Sequence, residues 1–231
     1  MQIETGNSIK GFLRFFKKKS YVINEKPYQI NIVGLRNEST IPNKFDDKIF
    51  VFWKGDEGVW AGKSFNVTTD PGTYWLKNPM SPQGTAILKE GQYIDAYKIG
   101  MHRGAYKALT QQKPVIVIRD YQRDAILDFN NGKEDTGLFG INIHRAAAVG
   151  TTKVIDKYSA GCQVFENAED FATFLELAEK SEALYGNNFT YTLIDERFFL
   201  RAIKRRSTYV FVSLLSALSL ILLIRKLKNK K

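Results

Sequence analysis

Residues 140–165, GINIHRAAAVGTTKVIDKYSAGCQVF, decide how the chain is read. An apolar run ends on His144, residues 145–158 form a loop of 14 residues rich in Gly, Thr and Lys, and Ser159, Ala160, Gly161 and Cys162 open a second apolar run. The pattern predicts two neighbouring antiparallel strands that bring an imidazole beside a thiol. A thiol with a reference pKa of about 8.5 is mostly protonated at neutral pH. An adjacent imidazole can take its proton and leave a thiolate held by imidazolium. Gly161 allows close backbone approach, and the amides of Gly161 and Cys162 could point at a developing oxyanion. The same two side chains also admit a plainer reading, a buried thiol and a satisfied core histidine.

On either side of this stretch the chain reads as short β-branched and aromatic runs punctuated by Gly, Pro and Asn. Strands are predicted over 28–33 (YQINIV), 48–53 (KIFVFW), 64–69 (SFNVTT), 73–76 (TYWL), 93–98, 114–120 (PVIVIRD), 138–144 (LFGINIH), 162–165 and 189–194 (FTYTLI). One helix interrupts them: Asn167 is its N-cap, Glu169 and Asp170 lie in its first turn, and Phe171, Phe174, Leu175 and Ala178 form an apolar stripe that ends before Gly186. A second helix, basic and amphipathic, is predicted over 8–19 and is expected to pack on the domain. The fold class is therefore mainly β, a sandwich or barrel-like domain with one or two packed helices. The expected organisation is a basic N-terminal segment over 1–24, a catalytic domain over 25–195 and a basic-flanked anchor over 196–231.

The 231 residues, 44% apolar and 13% aromatic, can fill a sizeable core, which excludes a disordered or fibrous chain. The net charge of +10 resembles a nucleic-acid signature until it is mapped. Residues 1–20 carry +4 and residues 201–231 carry +9, which leaves the middle at −3. A slightly acidic centre has no phosphate-tracking face, so nucleic acid is discounted as a partner and the basic ends read as membrane-proximal. Cys162 is the single cysteine, which rules out an intramolecular disulfide and zinc sites needing several cysteines. With His102 and His144 the only histidines, a three-histidine catalytic zinc is excluded by count, and neither a metal nor a cofactor is expected.

The spacing from His144 to Ser159-Ala160-Gly161-Cys162 resembles the signature of the L,D-transpeptidase catalytic domain, the cysteine enzymes of peptidoglycan cross-linking. In that family a histidine precedes a Ser/Thr-His-Gly-Cys run at this distance. Gly62, Lys63 and residues 64–72 (SFNVTTDPG), followed by TYWL, look like the family's strand and Pro-Gly turn, and Ile143-His144 looks like the end of its histidine strand. The resemblance covers roughly residues 45–170. It implies that Cys162 is the nucleophile and His144 its base, that the backbone carbonyl of Arg145 orients the imidazole, and that the Gly161 backbone serves the oxyanion. It also implies that Ser159 and Ala160 face the substrate. The implied chemistry is acyl transfer from peptidoglycan stem peptides through a Cys162 thioester, with water or an amine as acceptor. Two positions depart from the family pattern. Ala160 stands where the family usually has a second histidine, and Arg145 stands where it often has glycine. The Arg145 guanidinium could bind a peptide carboxylate or be solvated. His102 reads as a partly exposed loop or short-helix histidine, with a cleft-lining second donor as the alternative. Asp120, Asp124 and Asp128 read as turn and surface carboxylates, since they lack the glycine and terminal glutamate of a calcium loop.

Residues 208–224, TYVFVSLLSALSLILLI, run 17 residues without a charge. At about 1.5 Å per residue they reach roughly 26 Å, enough for a membrane span once flanking Arg206 and Arg225 snorkel. The N-terminus lacks a signal-peptide pattern. The expectation is a single-pass C-terminal anchor with the domain cytoplasmic until the membrane is breached, as for a phage lysis enzyme, and a periplasmic placement as the alternative. A competing class is a membrane-anchored, non-catalytic binding module in which Cys162 is packed and inert.

Overall fold

The computed structural model describes residues 2–3 and 6–196. Its elements run β1 (Gln2–Ile3), α1 (Gly6–Lys19), β2 (Asn31–Arg36), β3 (Asp47–Lys54), β4 (Trp60–Thr68), α2 (Thr73–Lys77), β5 (Thr85–Leu88) and β6 (Gly91–His102). They continue with β7 (Tyr106–Gln111), β8 (Val115–Asp120), β9 (Glu134–Gly137), β10 (Ile143–Arg145), β11 (Gln163–Phe165), α3 (Ala168–Tyr185) and β12 (Phe189–Asp195). The main sheet has the order β1-β4-β11-β10-β7-β6-β12-β2-β3, and β3 also pairs with β4. That extra pairing closes β4 through β3 into a barrel and removes the free edges between them. A second sheet, β5-β8-β9, contributes Ala86, Leu88, Val115 and Val117 to the same core.

Helices α1 and α3 follow the apolar spacing of their sequences. Asn167 caps α3 by accepting from the Asp170 amide at 2.9 Å, and Gly186 ends the helix at φ +85°. Phe171 and Phe174 meet Phe165 of β11 at ring-centroid distances of 5.4 and 4.9 Å. Helix α1 buries Ile9, Phe12, Phe15 and Phe16, with Phe12 against Phe50 and Phe52, while Lys10, Arg14 and Lys17 to Lys19 stay exposed.

Three expectations are corrected. Residues 73–76 form a helical turn, with the Trp75 and Leu76 amides bonded to the Gly72 carbonyl, because one turn sends Leu76 into a small core with Ile87, Leu127 and Phe129. Residues 138–142 are not a strand: Gln111 Oε1 accepts from the Phe139 and Ile141 amides, and Asn142 Oδ1 accepts from the Gln111 amide. Side-chain amides there replace the ladder. Finally, β10 and β11 run parallel, with His144 opposite Val164, because residues 146–162 cross over and do not turn back. Strands β1, β5, β7 and β9 lie outside the predicted runs. The expected span over 208–224 lies outside the described residues, and among those described no helix is long and apolar enough to cross a membrane.

Candidate functional site

The turn that carries Cys162 can be made only with glycine at 161. Gly161 sits at φ +122°, and a Cβ there would lie 2.2 Å from the Ala86 carbonyl oxygen of β5. Ser159 is fully buried; its hydroxyl accepts from the Gly161 amide at 3.1 Å and donates to the Cys162 carbonyl at 2.8 Å. Behind the turn, Gln163 Nε2 donates to the Gly161 carbonyl at 3.2 Å and to the Thr69 carbonyl at 3.4 Å, and its Oε1 accepts from the Tyr191 hydroxyl at 2.8 Å. Two substrate-facing expectations therefore fail. Ser159 shapes the turn from within, and the Gly161 amide is taken by Ser159, so it does not face an oxyanion. The Cys162 amide makes no hydrogen bond with another described residue.

Cys162 is a partly exposed residue, and its sulfur receives the Asn142 amide at 3.5 Å, with the Gly140 carbonyl also at 3.5 Å. His144, only 4% exposed, is the middle residue of β10, one residue after Ile143 fills the core. Its Nδ1 lies 2.8 Å from the Arg145 carbonyl oxygen, which can only accept, so Nδ1 carries the proton and Nε2 keeps its lone pair. The Tyr106 hydroxyl donates to the same carbonyl at 3.2 Å and lies 3.3 Å from Nδ1.

His102 is not a partly exposed loop residue. It is buried at the end of β6 and stacks on His144 with centroids 4.1 Å apart and planes 21° from parallel. Because Asn142 Oδ1 accepts from the Gln111 amide, Asn142 Nδ2 must donate to His102 Nδ1, 3.0 Å away. A neutral His102 thus carries its hydrogen on Nε2. Asn142, Gln111 and Tyr106 order both rings, and none of them was singled out in the sequence. No short motif marks them.

Electrostatics opposes the expected ion pair. Burial first, then neighbouring His102 and Arg103, drive the His144 imidazolium down to about 3, with the Arg145 carbonyl acting in the other direction. Burial likewise lowers the pKa of His102, helped by Arg103. The Cys162 thiol is pushed up by burial, against the opposing effects of the Asn142 amide and Arg103. The resting pair is a neutral thiol and a neutral imidazole, and no hydrogen bond joins them among the described residues.

Cys162, His144, His102 and Ala160 line one cleft of about 430 Å³, with Trp75, Phe139 and Tyr158 as its aromatic walls. Arg145 is not among its walls. Its guanidinium lies over the Tyr106 ring at 4.4 Å and donates to the Ala147 carbonyl at 3.3 Å, so it neither faces a ligand nor is simply solvated. Arg103 does line the cleft. A separate cavity of about 540 Å³, bordered by Arg119, Tyr121 and Asp135, holds neither a thiol nor a histidine. Asp120, Asp124 and Asp128 accept amides two residues ahead, as turn residues do, although Asp120 is buried. Among the described residues no group of three His, Cys, Asp or Glu side chains is arranged to hold a metal ion. Comparison with family models, curated proteins and solved structures returns no significant match.

Proposed function

We propose that the protein is a peptidoglycan-modifying cysteine enzyme of L,D-transpeptidase type, transferring the acyl group of a stem peptide through a Cys162 thioester. The observation that carries the reading is a cleft-lining cysteine beside an imidazole whose Nδ1 is held by the Arg145 carbonyl, leaving Nε2 free to take a proton. The neutral pair fits a mechanism in which the thiol proton moves to His144 Nε2 as sulfur attacks the peptide carbonyl. His144 then returns the proton to the leaving amine, and water or a second amine cleaves the thioester. The Cys162 amide, which bonds no other described residue, would be the donor for the oxyanion. Residues 208–224 would tether the domain to a membrane. A domain held away from polymerised wall until the membrane fails favours water as acceptor.

The missing sulfur–imidazole hydrogen bond and the burial of His144 favour a second reading, a membrane-anchored binding module with an inert Cys162. Incubating the full chain in detergent with purified peptidoglycan and separating the muropeptides tests both. We expect released stem peptides or D-amino acids with little new cross-linked product, all lost in Cys162→Ala. Dominant cross-links would transfer the assignment to a transpeptidase, and an unchanged muropeptide profile would leave the binding module.

A further inference from the structure

Arg103 sits at the tip of the β6–β7 hairpin. There the Ala105 amide bonds the His102 carbonyl at 2.9 Å, and Arg103 and Gly104 take φ values of +50° and +72°. Two consecutive left-handed residues make a tight turn that favours Asn, Asp or Gly at both positions, and an arginine there is held in a conformation that L side chains rarely adopt. Backbone strain of this kind clusters at ligand sites. The side chain is exposed, lines the cleft beside Cys162 and His144, and makes no ion pair or hydrogen bond with any described residue. The other cation in the cleft wall, Arg119, is neutralised: its Nε and Nη2 reach Asp135 at 3.1 and 2.8 Å. No Asp or Glu lines the cleft. One unpaired guanidinium therefore sets the sign of its field, above walls that include Trp75, Met80, Phe139 and Tyr158.

We infer that Arg103 is a specificity-determining residue that receives a carboxylate of the ligand, so that the cleft selects acyl donors bearing a free carboxylate near the scissile bond and an apolar or aliphatic body. The inference deepens the acyl-transfer reading and rests on it for the identity of the donor. The neutral imidazoles of His102 and His144 offer no competing positive charge, which leaves the guanidinium to fix the anion. Its planar fork can hold a carboxylate by two parallel hydrogen bonds.

The single cysteine makes the test direct. Full-length protein in detergent is alkylated with iodoacetate or with neutral iodoacetamide, and the Cys162 adduct is followed by mass. In both reactions a carbon–sulfur bond forms, iodide leaves and the thiol proton passes to solvent. Each rate is divided by that of a free cysteine derivative. Since both reagents sample the same thiolate fraction, their ratio isolates recognition of the carboxylate. We expect iodoacetate to be favoured by about tenfold at low salt, and the preference to fall toward one as salt rises. Arg103→Gln and Arg103→Gly should abolish the preference, the glycine variant keeping the turn its backbone prefers, and Arg103→Lys should restore part of it. A ratio near one in the parent chain, or the same ratio in Arg103→Gly, overturns the assignment. A parent chain that leaves peptidoglycan unprocessed while keeping the preference would refute the acyl-transfer reading and leave the carboxylate site standing.

Discussion

The face of the barrel covered by α3 and the rim that carries Cys162 are held by different forces. Against α3, Phe65, Phe165, Phe171 and Phe174 interlock with little polar content, and the energy is spread over many dispersion contacts. At the rim, residues 138–142 and 159–162 lack regular ladders and are fixed by Gln111, Asn142, Ser159 and Gln163, each with at least two defined hydrogen bonds. The first face supplies stability. The second places a sulfur and an imidazole, and it does so with groups that fail when a single partner is removed.

Truncation should separate the two regions. Phe174→Ala empties a fully buried site and should cost about 4 kcal/mol in denaturant unfolding, yet the folded fraction should alkylate at Cys162 at the parent rate. Gly161→Ala forces a Cβ onto the Ala86 carbonyl oxygen and should cost about 3 kcal/mol while changing the alkylation rate severalfold. Equal chemical effects from the two variants would show that the rim is not a separate positioning device.

A smaller effect comes from pH. The folded pKa of His144 is lowered from 6.5 to about 3, so its burial as a neutral ring stabilises the fold above the unfolded value, and that contribution is lost as pH falls through the window between them. Between pH 7 and pH 5 the parent should lose about 2 kcal/mol more than His144→Gln, since the carboxylates contribute alike to both chains. Parallel pH profiles in denaturant titrations would mean that His144 gains its proton in the fold as readily as in the unfolded chain.

The same division explains what could be read in the sequence. Helix α3 was legible because its cap, stripe and terminal glycine are local, and strands such as Lys48 to Trp53 were legible from β-branched and aromatic content. The spacing of His144 and Cys162 located both residues, but it could not tell a parallel crossover from a hairpin, because the 14-residue loop is long enough for either. Residues 73–76 are β-prone by composition and were overridden by the demand that Leu76 enter a core formed far along the chain. Asn142, Gln111 and Tyr106 act through side-chain bonds to distant backbone groups, which leave no periodic trace. His102 meets His144 only because β6, β7 and β10 are neighbours in the barrel.

Intact-mass analysis of the full chain in detergent with a carbapenem, the β-lactam class to which L,D-transpeptidases are susceptible, tests the Cys162 and His144 assignment most directly. One covalent adduct is expected on the parent chain, absent in Cys162→Ala and formed roughly 10² to 10⁴-fold more slowly in His144→Ala. A folded parent chain that stays unmodified, or a His144→Ala chain that acylates at the parent rate, would contradict it.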